Sequence, residues 1–290
     1  MRNTATRSLR AALQRWNWPH LLLLAAWLPW WHWSRAGDHA IALLGWLVVA
    51  LTLLGLAERL QPYRADWQPR AADLQRDAGL WTLNGLVDAL AGAGLLWLAL
   101  QAAPDDAGWP LGVQILLGIP LAEFGSYWLH RHSHGPRWLW RVHVLHHRPD
   151  RVNLANSLTA HPLNAILDRS VRLLPLLLLG WQADALLAVG LFHLTQSLAV
   201  HSNIAGSLGV LTPWIGNAAL HRVHHSDQPA DAGNYGTDLP LWDRLFGTWR
   251  PPTPVASVGV YEPAHYPGEH AVTALLLWPW RRPPPSAGRH

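Results

Sequence analysis

Hydrophobic residues form four long runs in the first half of the chain, at residues 18–33, 40–57, 81–103 and 109–129. A helix that crosses a bilayer needs roughly 20 predominantly apolar residues. The second run contains no charged residue, whereas Asn84 and Asp88 lie in the third and Glu123 lies in the fourth. Polar groups within such runs usually face the interior of a helical bundle. The pattern therefore predicts four membrane-spanning helices, of which the first is short and flanked by tryptophans.

A fifth apolar region, at residues 163–200, is less regular. Charged side chains interrupt its first half, and Gly180 and Trp181 lie at its middle. This pattern predicts a pair of short helices that dips into the membrane and returns, with a two-span hairpin as the alternative. The chain is then polar and rich in turns until residues 271–280, an apolar run too short to span and expected to lie at the interface or to pack on the domain.

The arginines are distributed unevenly between the predicted loops. Four precede the first apolar run and four separate the second run from the third, namely Arg2, Arg7, Arg10, Arg15, Arg59, Arg64, Arg70 and Arg76. The two intervening loops contain Arg35 alone and the acidic pair Asp105 and Asp106. Because cytoplasmic loops carry the excess of arginine and lysine, both ends of the four-span block are predicted to be cytoplasmic. The fold class is thus an all-α membrane bundle of about four spans and a re-entrant hairpin, with a cytoplasmic helical cap.

The composition narrows the class of protein. Half of the 290 residues are hydrophobic and 14% are charged, whereas a soluble domain is usually about 25% charged. The chain contains no cysteine, which excludes disulfides, thiolate zinc sites, cysteine-bound iron–sulfur clusters and a cysteine nucleophile. The net charge of +4 comes from arginine, because there is no lysine. Such basicity indicates loops that face anionic lipid. Nucleic-acid binding is disfavoured, because the sequence lacks a basic stripe with interleaved aromatic residues.

Histidine is the unusual residue, since 12 of the 18 copies lie between positions 130 and 225. Residues three and four positions apart share one face of a helix. Three groups have this spacing, namely His130 and His134; His143, His146 and His147; and His221, His224 and His225. If the groups converge, they provide eight nitrogen ligands, with His201 as a ninth and His161 as a possible tenth. One metal ion cannot use so many ligands, but two can.

The choice of metal follows from what accompanies the histidines. Imidazole binds zinc, copper, iron and nickel. A zinc peptidase uses the motif H-E-x-x-H with glutamate as its base, but no glutamate lies between Glu123 and Glu262. Ferritin-like di-iron sites use the carboxylates of E-x-x-H motifs, and no such motif lies among the clustered histidines of residues 130–225. A pair of irons bound by histidines remains for oxygen chemistry, and a histidine-rich storage loop, which needs no helical spacing, is the alternative.

The histidine motifs occur in a recognisable order. They are residues 127–134 (YWLHRHSH), 139–147 (LWRVHVLHH), His161-Pro162, His201-Ser202-Asn203, 221–226 (HRVHHS), 234–236 (NYG) and 241–248 (LWDRLFGT). Together they resemble the fatty acid hydroxylase/sterol desaturase superfamily over about residues 123–249, close to half of the chain. Two positions depart from the family pattern: Glu123 stands where Asp is common, and Thr159 stands where Arg often precedes the His-Pro pair.

The resemblance implies an integral membrane enzyme that uses a histidine-bound di-iron centre and O2 to hydroxylate or desaturate a lipid. Hydroxylation is the favoured reaction and desaturation the alternative. The expected catalytic metal ligands are His130, His134, His143, His146, His147, His201, His221, His224 and His225, and His161 is either a tenth ligand or a neighbour of one. Because no electron-carrying domain is recognisable, electrons are expected from a separate ferredoxin or cytochrome b5 type protein with its reductase.

The sequence also predicts domain boundaries and a location in the cell. Membrane helices are predicted at residues 1–110, the fatty acid hydroxylase catalytic domain at 111–250, and a cytoplasmic or interfacial tail at 251–290. The protein is expected to be a multi-pass protein of the inner membrane, with its metal site on the cytoplasmic side. The basic residues at the start favour a retained segment over a cleaved signal peptide.

Residues around the ligands have predicted roles as well. A ligating histidine usually donates its second N–H to a carboxylate, a carbonyl or water. The candidates are Asp227, Asp231, Asp238 and Asp243, of which Asp243 is preferred, with Asn203 and Asn234 as possible partners or caps. His132 and His193 are not expected to be ligands, since His132 points away from the neighbouring histidines on a helix.

Three other classes of protein are weighed against the lipid oxygenase. A membrane zinc hydrolase requires a water-bound zinc beside a carboxylate and works without O2. A metal transporter requires ionisable residues through the spans, which the first two runs lack. A membrane cytochrome requires histidines within the spans, whereas most histidines here lie beyond the span ends.

Overall fold

The computed structural model describes residues 15–101, 108–135 and 137–281. The described residues form ten α-helices and no β-strand, which confirms the predicted all-α class. The helices are α1 (Trp18–Ser34), α2 (His39–Leu60), α3 (Ala71–Ala99), α4 (Leu111–Ser133), α5 (Arg137–His147), α6 (Pro162–Leu178), α7 (Ala183–Ala199), α8 (Ala218–His224), α9 (Leu241–Leu245) and α10 (Val272–Leu276). Most of the predicted basic start, the loop that holds Asp105 and Asp106, and most of the tail after residue 280 lie outside the described residues.

Two helices of the described part, α2 and α3, are both long and apolar enough to cross a membrane. The carboxylate of Asp38 caps α2 by accepting hydrogen bonds from the backbone N–H groups of Ala40 and Ile41. Helix α3 begins ten residues before its predicted start, because Asp73 accepts the backbone N–H of Arg70 and begins a helix there. The total number of spans stays a prediction.

Helix α7 forms the centre of the bundle. Its apolar residues are distributed around the whole helix, as expected for a helix surrounded by others, and the main hydrophobic core extends from it to α1, α2 and α4. Two buried polar side chains fix its neighbours. The hydroxyl of Thr195 accepts the indole N–H of Trp46 on α2 at 2.9 Å, and the amide of Gln196 lies 2.7 Å from the ring of His20 on α1.

The irregular apolar region forms the two helices of a hairpin, α6 and α7, which meet at Gly180 with a φ of 71°. Helix α4 packs against both. Two glycines of α4 lie at these crossings, and a Cβ at Gly125 would collide with the carbonyl oxygen of Val171 on α6. This close approach fixes the position of the end of α4, where the first histidine motif lies.

Short helices and loops form a cap at one end of the bundle, and the segment after residue 250 folds back onto it. Helix α10 packs on α5 through Leu275 and Leu145, which are buried together with Leu80 of α3. An isolated bridge between Ser226 and Val258 joins the same segment to the end of α8. The apolar patch near residues 271–280 therefore packs on the cap, which was one of its two predicted placements.

Candidate metal centre and adjoining cavity

Nine histidines converge beneath the bundle in two groups. In each group, every residue offers one ring nitrogen, and these nitrogens lie within 4.8 Å of one another. The larger group contains His130, His134, His143, His147 and His224, and the smaller group contains His146, His201, His221 and His225. We call these the five-histidine group and the four-histidine group.

Helical spacing explains how a short sequence supplies both groups. Helix α5 ends in adjacent histidines, and its His146 enters the four-histidine group whereas its His147 enters the five-histidine group. The end of α8 repeats the arrangement, with His224 and His225 divided in the same way. The rings of His147 and His225 stack with centroids 4.2 Å apart. The two groups therefore share a wall of imidazoles.

Hydrogen bonds at Nδ1 fix the orientation of five of these rings. Backbone carbonyl oxygens accept from three of them at 2.7–3.0 Å: Tyr235 from His130, Thr159 from His146 and Gly233 from His224. Side-chain amide oxygens accept from two more, Asn164 from His143 at 3.1 Å and Asn156 from His201 at 3.2 Å. A neutral imidazole carries one proton, so a ring that donates through Nδ1 presents a bare lone pair at Nε2.

The pair of His146 and His201 shows what this arrangement requires. The oxygen of the Asn156 amide also accepts the backbone N–H of Asn153, and its nitrogen donates to the carbonyl of Arg151, so the amide has one possible orientation. Both histidines therefore donate through Nδ1, and their Nε2 atoms face each other at 3.2 Å. Two bare lone pairs at this distance repel each other, and a cation bound by both nitrogens removes the repulsion.

The other short contacts have the same form. The Nε2 atoms of His143 and His147, of His147 and His224, and of His221 and His225 are each 3.1 Å apart. Nitrogens that bind one ion through bonds of about 2.1 Å at right angles lie roughly 3 Å apart. The Nε2 atoms of His130 and His134 are buried and have no hydrogen-bond partner. The residues present fit two metal ions, one in each group.

Burial keeps these imidazoles neutral. It lowers the pKa of His143, His147 and His224 well below the ordinary value, and repulsion between neighbouring imidazolium ions lowers the pKa further. The same two causes act in the same order on His201 and His221. Neutral imidazole is the form that binds a metal. Neither group contains a carboxylate, so the ligand set leaves the full charge of a bound ion in place.

A buried carboxylate supports the five-histidine group through the backbone. Asp243 accepts the N–H of Tyr235 at 2.8 Å and that of Gly236 at 2.7 Å, and the carbonyl of Tyr235 in turn holds His130. A Cβ at Gly236 would lie 2.5 Å from the carbonyl oxygen of Leu239 and 2.8 Å from the carboxylate. Glycine is therefore needed for this close approach.

A second carboxylate supports the four-histidine group from the membrane side. Glu58, near the end of α2, accepts the backbone N–H of Leu154 at 2.7 Å and that of Asn203 at 2.5 Å. These two loops carry Asn156 and His201, which contact each other. One buried side chain thus holds together the loop of Asn156 and the loop of His201.

A cavity of about 510 Å³ leads from both groups into the bundle. His130 and His143 of the five-histidine group line one end, as do His146, His201 and His221 of the four-histidine group. Leucines of α2, α6 and α7 line much of the remainder, and its volume is typical of a site for a small ligand. The cavity places an apolar molecule directly against both metal sites.

The side chains of Asp168, Arg172 and His193 form a polar wall of the cavity. The guanidinium of Arg172 lies 2.8–3.0 Å from the carboxylates of Asp168, Glu123 and Asp238. His193 pairs with Asp238 at 3.1 Å, and the backbone N–H of Asp238 donates to Glu123. This network joins α4, α6 and α7 to the loop that carries Gly233 and Tyr235.

Comparison with known proteins agrees with this geometry. Residues 115–248 match the fatty acid hydroxylase family. The chain is 33% identical over 218 residues to the ornithine lipid hydroxylase of Rhizobium tropici, a match that covers 70% of this chain and 66% of the relative. The chain belongs to the fatty acid hydroxylase family. The recognition of its motifs in the sequence is thereby confirmed.

Other relatives of this fatty acid hydroxylase family member are named for different activities. It is 31% identical over 148 residues to human alkylglycerol monooxygenase, covering 50% of this chain and 32% of the relative. It is 28% identical over 162 residues to the tobacco Delta(7)-sterol-C5(6)-desaturase, covering 54% and 57% respectively. The chain thus spans less than two thirds of the length of each of these relatives. No solved structure matches it.

The structure brings nine of the ten predicted ligands of this family member together, and His161 is the exception. The ring of His161 caps α6 by accepting the backbone N–H of Leu163 at Nδ1, and its Nε2 donates to the carbonyl oxygen of Leu276 at 2.9 Å. Both nitrogens are engaged, and the residue lies outside both groups. His132 lies outside them too, on the exposed side of α4, where its ring bonds the carbonyl of Trp128.

The predicted supporting residues have varied roles. Asp243 acts through Tyr235, and Asp238 belongs to the Arg172 network. Asp231 accepts the hydroxyl of Ser226 in its own loop, and Asp227 accepts that of Ser257 in the segment that folds back onto the cap. Asn203 and Asn234 hold backbone groups. The amides of Asn156 and Asn164, which hold ligands directly, were not predicted. Their signal in the sequence is weak, because nothing but their position between histidine motifs distinguishes them from loop or cap residues.

Proposed function

We propose that the chain is a membrane-bound, O2-dependent di-iron oxidoreductase that hydroxylates a C–H bond of a membrane lipid. The observation that carries the proposal is the single cavity that reaches both histidine groups and continues between apolar helices. A lipid chain in that cavity has its C–H bonds beside both metal sites. Relatives named as lipid hydroxylases and monooxygenases support the same reaction class.

Iron is the metal that we infer for both groups. The nine ligands are His130, His134, His143, His147 and His224 for one ion, and His146, His201, His221 and His225 for the other. When bound, the iron pair supplies the redox chemistry that uses O2 and two electrons to attack an unactivated C–H bond. A hydrolytic zinc site would need a carboxylate beside a metal-bound water, and neither histidine group contains one.

The protein's own residues orient the ligand rings and keep water away from the reacting carbon. Acceptors at Nδ1 hold the ligand rings so that their Nε2 atoms point inward before a metal arrives. Leucines of α2, α6 and α7 surround the lipid and exclude water from the reacting carbon. A water-free site prevents loss of the oxidising equivalents to side reactions.

The topology follows from the charges at the two ends of the bundle. The end with the histidine groups carries most of the described arginines, among them Arg64, Arg70, Arg148 and Arg151, whereas Arg35 lies at the opposite end. By the positive-inside rule the histidine groups lie at the cytoplasmic face of a multi-pass protein in the inner membrane. A separate ferredoxin or cytochrome b5 type protein then supplies electrons from the cytoplasm.

The test is expression in a host with a defined lipid composition under 18O2, followed by mass spectrometry of the lipids. Hydroxylation places one labelled oxygen in a lipid that is absent from cells with the empty vector. Loss of two hydrogens without label identifies the desaturase alternative, and a product that forms without O2 identifies a hydrolase. If iron is bound and no lipid changes, the proposal is wrong.

A further inference from the structure

A second polar site lies along the same cavity, outside both histidine groups. Asp88 of α3 and Arg169 of α6 face each other there, and both line the cavity. The nearest atoms, Arg169 Nε and Asp88 Oδ1, are 3.6 Å apart, which is too long for a hydrogen bond. Both side chains are more than one third exposed. The pair is loose, although hydrogen-bonded ion pairs normally close to about 2.8 Å.

Two polar atoms at this site, one in the pair and one beside it, have no hydrogen-bond partner. The Nε of Arg169 is buried without a hydrogen bond. The amide of Asn84, which is 7% exposed, donates to the carbonyl oxygens of Leu158 and Ala160, and its own oxygen is left without a donor. Buried polar atoms are usually hydrogen-bonded, and leaving them unpaired costs free energy. Asn84 and Arg169 both line the cavity, so two of its lining residues each have one polar atom without a hydrogen bond.

The backbone of α3 is shaped to receive the arginine. Asn84, Asp88 and Gly92 are spaced four residues apart and so lie on one face of the helix. A Cβ at Gly92 would lie 3.0 Å from Nη2 of Arg169 and 3.3 Å from its Nε. The absence of a side chain at Gly92 lets the guanidinium lie against α3, one turn beyond the carboxylate.

Arg172, one turn along the same helix, shows the contrast. Three carboxylates surround its guanidinium at 2.8–3.0 Å, and the residue is 7% exposed. Its guanidinium is therefore held in place by three close partners. Arg169 has one distant partner and open space in front of it.

We propose that Asn84, Asp88 and Arg169 bind the zwitterionic headgroup of the lipid substrate, which carries one ammonium group and one carboxylate or phosphate. The ammonium lies between the carboxylate of Asp88 and the free oxygen of Asn84, and the anion lies on the guanidinium of Arg169. An anion alone or a cation alone would leave one member of the pair without a counter-charge in a low-dielectric site, which is costly. The proposal deepens the proposed lipid oxygenase function and rests on it.

The site also indicates which part of the lipid is oxidised. The carbonyls of Leu158 and Ala160, which hold Asn84, flank Thr159, whose carbonyl orients the ligand His146. Along α6, Arg169 lies five residues beyond Asn164, the partner of His143, or about 7.5 Å of helix. The headgroup is thus bound close to the histidines, and the oxidised carbon lies near the headgroup end of the lipid.

The test measures lipid binding to the full-length, metal-free protein in detergent, by native mass spectrometry with competing lipids. The probes are dioleoylphosphatidylethanolamine, its N-acetyl derivative, which lacks the ammonium, and dioleoyl dimethylammonium propane, which lacks the anion. Because hydrogen bonds to charged groups are involved, the zwitterion should bind at least about tenfold more tightly than either derivative. Equal binding of the three probes would overturn the proposal.

Variants identify the residues responsible. Asp88→Asn and Arg169→Gln should each reduce binding of the zwitterion about tenfold and leave binding of the N-acetyl derivative or of the cationic lipid, respectively, nearly unchanged. The double variant leaves no unpaired charge and keeps the test valid if a single variant misfolds; it should bind all three probes alike. Asp184→Asn is the matched control, because Asp184 forms an equally loose pair with Arg35, 3.6 Å apart, at another end of the bundle.

Two outcomes separate this proposal from the function on which it rests. Headgroup preference in the metal-free protein requires no turnover, so a negative result with 18O2 refutes the oxygenase and leaves the binding result standing. An active hydroxylase with no preference among the three probes, or with unchanged binding in Asp88→Asn and the double variant, refutes the headgroup site alone.

Discussion

The two ends of the cavity differ in how completely their polar groups are paired. At the histidine end, carbonyl and amide oxygens fix five imidazole rings through Nδ1, and the free Nε2 atoms all point at common centres. At the other end, Asp88 and Arg169 remain 3.6 Å apart, and the oxygen of Asn84 has no partner. The polar groups of the first end fix one geometry, whereas those of the second can still form hydrogen bonds with a ligand.

The difference matches two tasks. Ligands that must bind a metal and a reacting carbon in one arrangement benefit from rigid support, because small displacements are costly to catalysis. A site that admits a lipid headgroup needs free donors and acceptors, which are satisfied when the ligand arrives. The largest effects of substitution are therefore expected at the rigid end.

Removal of a metal ligand should have the largest effect. His146→Ala and His224→Ala each remove a nitrogen from a different histidine group, and turnover should fall to background with loss of bound iron. His132→Ala is the matched control, since His132 lies on α4 beside the ligands but is exposed. Iron per chain by elemental analysis and labelled product by mass spectrometry are the measurements. Full activity in either ligand variant would contradict the assignment of that group.

Acidity should destabilise the metal-free protein next most strongly. The buried histidines have pKa values below the ordinary value of about 6.5, so the unfolded chain binds protons there that the folded chain does not. The free energy of unfolding should therefore fall as the pH drops below about 6.5, by up to about 1.4 kcal/mol per pH unit for each such histidine.

Bound metal should shift this loss of stability to lower pH. Bound ions compete with protons for the same nitrogens, so the iron-loaded protein should keep its stability to a lower pH than the metal-free protein. Thermal unfolding in detergent between pH 5 and about 8, with and without iron, measures both curves. Coincident curves would show that the ions do not bind these histidines.

The histidine end was also the part that the sequence predicted best, and its limits have a physical cause. Helical spacing places residues on one face, so the three motifs were readable without a structure. The acceptors are remote in the chain: Asn156 lies 45 residues from His201, and Tyr235 lies 105 residues from His130. Backbone carbonyls carry no residue signature at all, so three of the five acceptors could not be identified from residue types.

Three further features of the structure could not be predicted from the sequence, for similar reasons. The predicted start of α3 was late because hydropathy does not recognise Asp73 and Asp77 as helical, although Arg70 and Arg76 neutralise them locally. His161 shares a motif with the ligands, but its two nitrogens are used by a helix cap and a carbonyl. The sequence places Asp88 within the third apolar run. Its partner Arg169 lies 81 positions later, so the pair is evident only in the structure.

Loss of one amide acceptor should have an intermediate effect. Asn164→Leu keeps the approximate size of the side chain but leaves Nδ1 of His143 without an acceptor. Activity or metal affinity should fall roughly 10- to 100-fold, as is usual for groups that orient a ligand. Asn164→Asp retains an acceptor oxygen and should restore most of the activity and the iron content. A similar loss in both variants would show that Asn164 acts through packing.

The smallest effect concerns the helix crossing that positions the histidine end. A methyl group at Gly125 would meet the carbonyl oxygen of Val171, whereas one at Gly112 of the same helix would meet nothing within 4 Å. Gly125→Ala should lower the free energy of unfolding by about 1–3 kcal/mol through overpacking. Gly112→Ala should leave it unchanged or raise it by up to about 1 kcal/mol, since alanine favours helix. Thermal unfolding in detergent compares the two, and equal shifts would mean that α4 and α6 can separate without cost. Since Gly125 lies five residues before His130, such freedom would also mean that the crossing does not fix the position of the first histidine motif.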